Sequence, residues 1–259
     1  MEQGRCAYCA QYYRGKPPRQ AGLRPQVSGT AWSKASVDIT GTHPRLRTGC
    51  EYILTALDHF TKWADALPIR DHKAHTVEKV LLDRLFSRFG MPEELLSDQG
   101  LEFESELVAE WCKALGVRKI RTIPYRPTTS GMLERIHRTL NQTIGKVVSE
   151  GQRDWDQYIQ PVMAAYRASK HVVTGFSPNF LMLGREVRAP IDLVLGRPVE
   201  EVDYWQSTNE FVTVVQERYR RAYEIARKSL QLEAKRRKDL YDRRVVQRRF
   251  PVGTWIWYY

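Results

Sequence analysis

Apolar residues recur along this chain with two different periods, and the switches between them mark out its elements. From about residue 34 the pattern turns β-like. Val37–Ile39 is short and β-prone, and 51–58 (EYILTALD) is a mixed apolar run suited to a central strand. KWADALPI, residues 62–69, makes a third strand. GTHPRLRTG between the first two reads as a hairpin-like connection, so three adjacent antiparallel strands are predicted. Val77, Val80, Leu81, Leu85 and Phe89 then recur at three- and four-residue steps, and Gly90 with Pro92 stops that helix. ELLS (94–97) is a short buried strand ending at Asp98. A helix over 106–115 closes at Gly116, and VRKIRTI (117–123) is the fifth strand. Residues 124–130 (PYRPTTS) read as a turn-rich loop. Gly131 permits the bend into a long helix over 132–149. Helical patterns follow at 155–168, 178–183 and 203–243. The last has an apolar stripe of Phe211, Val215, Tyr219, Ala222 and Ala226, equally suited to assembly or to packing on the core. Antiparallel strands followed by alternating strands and helices predict an α/β class: a mixed five-stranded sheet flanked by helices, with a C-terminal helical extension.

Composition narrows the class. Apolar residues make up 42%, enough for a real core, and no run approaches the roughly 20 apolar residues of a membrane span. With no apolar leader near Met1, the chain reads as soluble and intracellular, with no membrane partner. Four cysteines at 6, 9, 50 and 112 are no disulfide framework at this length. Cys112, in a helical pattern with Leu107 and Trp111, is expected to be a core thiol. His72 and His75 are expected at the surface of a loop. The net charge of +11 is concentrated at the ends, with 13 Lys/Arg against 5 Asp/Glu over residues 216–259. Basic flanks around a nearly balanced centre suit a polyanion such as nucleic acid, and a solubilising surface is the competing reading.

Three acids fall where this layout lets them meet. Asp38 is on the first strand, Asp98 at the C-terminal end of the fourth, and Glu134 in the first turn of the long helix. Clustered carboxylates repel unless a cation neutralises them, and hard oxygen ligands favour Mg²⁺ or Mn²⁺. Two such ions activate an attacking oxygen and stabilise a leaving one in phosphoryl transfer. On the long helix Arg138, Asn141 and Gln142 lie on the side of Glu134. Leu133, Ile136, Leu140, Ile144 and Val147 form the opposite, core-facing stripe.

The local contexts carry a resemblance. Asp98 stands in LSDQGLEFES, Glu134 in YRPTTSGMLERIHRTL, and 35 residues separate them. Together with SVDITG around Asp38, YILTALDHFTKWADALPI, RFGMPEELLSDQG and TGFSPNFLMLGREVRAP, this resembles the Asp, Asp, 35-residue gap, Glu signature of LTR-retrotransposon (Ty3/Gypsy-type) and retroviral integrases. The resemblance implies a ribonuclease-H-like fold and an Mg²⁺- or Mn²⁺-dependent polynucleotidyl transferase and DNA endonuclease. Asp38, Asp98 and Glu134 would be its catalytic, metal-holding residues. Implied DNA contacts are Tyr125, Arg126, Arg138, Asn141 and Gln142. Element ends and target DNA are the implied partners, with homo-oligomers and a nuclear location. The family often has Asn where this chain has His137, and His where it has Arg126.

The resemblance also implies a domain layout. Residues 1–22 would be the remnant of an N-terminal zinc module plus linker, and 23–190 the catalytic core. Residues 191–247 would form a charged connector, and 248–259 the start of an SH3-like domain. Cys6 and Cys9 match the Cys-x-x-Cys half of the family's zinc module. No His precedes them, so an incomplete zinc site is expected. Two other readings stay open: a domesticated, non-catalytic DNA-binding protein, and a ribonuclease-H-type nuclease.

Overall fold

The computed structural model describes residues 29–98, 100, 102–121, 127–147, 153–187 and 208–243. Five strands form one sheet: β1 Lys34–Gly41, β2 Tyr52–Asp58, β3 Ala64–Ile69, β4 Glu94–Ser97 and β5 Arg118–Arg121, in the order β3-β2-β1-β4-β5. β1, β2 and β3 pair antiparallel, whereas β1 with β4 and β4 with β5 pair parallel. The expected mixed five-stranded sheet is therefore present. One rung is pinned by charge. Lys34, Glu94 and Arg118 lie side by side on β1, β4 and β5, with Lys34 Nζ 3.1 Å from Glu94 and the Arg118 guanidinium on the same carboxylate.

Each face of the sheet carries its own helical layer, as strand alternation requires. Val37, Leu54 and Ala56 face one way, onto helix α1 and helix α2. α1 runs Ala74–Leu81, through a π-helical turn Leu82–Phe86, to Ser87–Phe89; α2 is Glu106–Ala114, with Ser105 capping by accepting from the Val108 N–H. Cys112 is buried in this layer, as expected of a core thiol. Ile53 and Leu57 face the other way, onto α3 (Pro127–Val147) and α4 (Asp156–Ala168). The predicted stripe of α3 is buried at Leu133, Ile136, Leu140 and Ile144. Each such side chain contributes about 1.5–3 kcal/mol of burial.

α3 begins earlier than its sequence suggests. Residues 127–130, expected in a loop, form its first turn, so Gly131 lies inside the helix rather than at a bend. Proline is preorganised for a first helical position, where its missing N–H costs nothing, and Pro127 occupies it.

α5 (Pro178–Leu183) and α6 (Thr208–Asp242) complete the described elements. The chain divides into two compact units, Val27–Gln231 and the remainder. Within the first, the Ala222–Ala226 part of the predicted stripe packs on the core, while the Phe211 side chain lies outside what is described. Ala222, Ala226 and Leu230 are buried with Phe60 and Leu181, and the Tyr223 hydroxyl donates to the Leu181 carbonyl (2.9 Å). Gly184, at φ +77°, ends α5 in the left-handed region with the Tyr219 ring lying where its Cβ would be. Of the second unit, residues 232–243 are described and are the end of α6. No helix among the described residues is long and apolar enough to cross a membrane.

Candidate active site

The site grows out of the sheet register. β1 and β4 pair from Lys34↔Glu94 to Ser36↔Leu96. Carried two residues further, the same register brings Asp38 level with Asp98. The ladder ends before that rung, so the strands part where the two acids stand. This is also where the strand order reverses direction, β2 leaving to one side of β1 and β4 lying on the other. Such switch points open crevices at strand ends. Asp38 still pairs with Thr55 on β2, and its side chain shares the face on which α3 packs.

Asp38 is partly buried, its side chain 30% exposed. Burial, then the Asp98 charge, then that of Glu102, push its pKa up to about 6, against one lowering hydrogen bond from the Ile39 N–H to Oδ1 (2.9 Å). Asp98 is exposed and accepts the Gly100 N–H at 3.1 Å, folding the following loop back over itself. Glu102, which sequence reasoning did not single out, thereby sits near Asp38, with His72 Nδ1 3.7 Å from its carboxylate. Its only sequence signal was the Gly100 turn. His72 and His75 are exposed, as expected, but only His72 lies in a loop: His75 is the second residue of α1.

Glu134 stands apart. It lies on α3, 70% exposed, with its carboxylate 3.3 Å from Arg138 one turn on. Among the described residues no three His, Cys, Asp or Glu side chains are grouped so as to hold a metal ion. The structure brings Asp38 and Asp98 together, and the Glu134 carboxylate is engaged with Arg138. Arg138, Asn141 and Gln142 are exposed on α3, as their spacing suggested. Tyr125, Arg126, Cys6 and Cys9 lie outside the described residues, as do 1–22 and 248–259.

The α3 side of Asp38 is occupied by His137. Its Nδ1 is 3.6 Å from Asp38 Oδ2, and its Nε2 is buried without a hydrogen-bond partner. Burial, followed by the neighbouring His43, pushes its pKa down to about 4, so it is neutral at physiological pH.

The residue set suits a hard divalent cation in one respect. Two carboxylates share the crevice, and one is raised to about 6 by burial and then by the other's charge, a cost that a cation relieves.

Comparison with known proteins agrees with this layout. Residues 31–127 match the integrase core domain family. The chain is 31% identical over 256 residues to the Pol polyprotein of radiation murine leukemia virus, covering 97% of this chain and 42% of that protein. It is 28% identical over 226 residues to the retrovirus-related Pol polyprotein from transposon 412 of Drosophila melanogaster, covering 86% and 18%. It thus spans less than half the length of these relatives. Among solved structures, a simian T-cell lymphotropic virus intasome in complex with PP2A regulatory subunit B56 gamma shares the fold, with TM-score 0.53 and 18% identity. That match covers 71% of this chain and 65% of that one. The sheet order, the helices on both faces and these likenesses place the fold in the ribonuclease-H-like class, and the chain belongs to the integrase catalytic cores of LTR retrotransposons and retroviruses.

Proposed function

We propose that this chain catalyses metal-dependent DNA 3′-end processing and strand transfer, with Asp38, Asp98 and Glu134 as its catalytic carboxylates. The observation that carries the reading is the Asp38–Asp98 pair at the parting of β1 and β4, one carboxyl raised to about 6 beside the other. Asp38 and Asp98 would hold the first Mg²⁺ or Mn²⁺, and Glu134 completes the set by releasing Arg138. When bound, the metal supplies Lewis-acid activation of an attacking oxygen and stabilisation of the leaving one. The chain's own contribution is positioning. β1 holds Asp38 on the sheet and Asp98 follows directly on the end of β4, while the exposed Arg138, Asn141 and Gln142 of α3 would meet a phosphate backbone. Water would first cleave near the 3′ end of the element DNA. The freed 3′-hydroxyl would then attack a target phosphodiester without a covalent enzyme intermediate.

The partners in this reading are element ends and target DNA. Joining two ends calls for a homo-oligomer, consistent with the intasome assembly of the viral relative. A nuclear location follows from the substrate. The proposed organisation remains a core over 23–190 followed by a charged connector over 191–247.

The test is disintegration of a branched DNA, the reverse of strand transfer, with Mg²⁺ or Mn²⁺, comparing the chain with Glu134→Gln. Metal-dependent product lost in the variant is expected. DNA-binding protein that yields no product would favour the second reading, a non-catalytic DNA-binding protein. What supports that reading is the ion pair that Glu134 makes with Arg138.

A further inference from the structure

We propose that His137 is a positioning residue for Asp38, its Nδ1–H steadying Oδ2 while the Ile39 backbone N–H holds Oδ1, so that the carboxylate presents a fixed edge to a divalent cation beside Asp98. The inference rests on the metal-dependent reading above.

The argument is one of proton placement. The His137 side chain is 10% exposed, and its two ring nitrogens have different surroundings. Nε2 is buried with no partner, whereas Nδ1 faces a carboxylate oxygen at 3.6 Å. A neutral imidazole has one N–H to place. Placed on Nε2, that N–H would be buried without an acceptor while the Nδ1 lone pair faced a carboxylate oxygen, two unfavourable arrangements at once. The proton therefore belongs on Nδ1, toward Asp38. Closing a few tenths of an ångström makes this a full hydrogen bond to an ionised carboxylate, the state a metal ligand must adopt. The backbone supports the same geometry. His137 is anchored between Ile136 and Leu140, both buried on α3, and Asp38 is fixed by its pairing with Thr55. Outer hydrogen-bond partners of this type orient ligands, and their loss typically weakens metal binding about 10–100-fold.

The test is Mn²⁺ binding by calorimetry on the whole chain, with thermal melting alongside, for wild type and for Asp38→Asn, His137→Asn, His137→Gln and His137→Leu. Asparagine places its amide nitrogen as many bonds from the backbone as Nδ1. Glutamine places it one bond further, and leucine fills space without a donor. His137→Asn is expected to bind within about threefold of wild type, and His137→Gln and His137→Leu about 10–100-fold more weakly. His137→Leu binding as tightly as wild type would mean that the imidazole merely fills space, and would overturn the proposal. So would a folded His137→Asn as weak as His137→Gln, a comparison that stands even if His137→Leu fails to fold. Wild type binding Mn²⁺ no better than Asp38→Asn would sink the metal reading itself, and this inference with it.

Discussion

Asp38 costs the free protein stability at neutral pH, and Asp38→Asn should recover it. The carboxyl titrates at about 6 in the folded chain against an ordinary 3.8. At 1.36 kcal/mol per tenfold change in proton affinity, that gap corresponds to about 3 kcal/mol. Screening at a side chain still 30% exposed reduces it to about 2. The sign follows from linkage. Between 3.8 and 6 the folded state binds the proton that the unfolded state has released, so this group's contribution falls as pH rises through the window and is fully unfavourable above it. Asparagine keeps the acceptor for the Ile39 N–H and never ionises. Asp38→Asn should therefore be more stable than wild type by about 2 kcal/mol at pH 7.5 and no more stable near pH 4. Urea unfolding from pH 4 to 7.5, without divalent ions, measures it. A difference that does not change with pH, or a variant less stable at pH 7.5, would refute the electrostatic account of the crevice.

Three further outcomes test the scaffold. Leu140→Ala, at a position 1% exposed where α3 meets the sheet, should cost about 2–5 kcal/mol in urea unfolding. Asp65→Ala strips Arg167 of its carboxylate (3.3 Å) and Gln160 of an acceptor (3.0 Å). With the Arg167 side chain only 14% exposed, about 3–5 kcal/mol should be lost, and a loss under 1 would mean water reaches that guanidinium freely. Gly184→Ala sets a Cβ against the Tyr219 ring at a positive φ, and should lower stability by about 1–3 kcal/mol, with Tyr219→Ala restoring part of it.

The sheet, its helical layers and the proximity of Asp38 and Asp98 were legible because each rests on periodicity or on where a strand stops. The start of α3 was not, because Pro127 and the Thr-Thr-Ser-Gly that follows read equally as a turn or as a first helical turn. The orientation of Glu134 was not legible either. An exposed glutamate on a helix has several rotamers, and Arg138 at i+4 competes for it. Glu102 escaped notice because a chain reversal at Gly100, not sequence spacing, carries it toward Asp38. His137 stood three residues from Glu134, but its burial depends on how α3 lies on β1 and β2.

The pairing of β1 on both edges bears on how the molecule breathes. At Ala35 and Ser36 the strand is bonded to β2 on one side and β4 on the other, while β3 and β5 are the outer strands of the sheet. Amide hydrogens in that doubly paired stretch should exchange with solvent only on global unfolding, and the outer strands by cheaper local openings. Asp38 rides two residues beyond the slowest-exchanging backbone, whereas Asp98 stands exposed just past the last rung of β4. The crevice therefore has one stationary wall, and any ordering of the aspartate pair on binding falls to the Asp98 side.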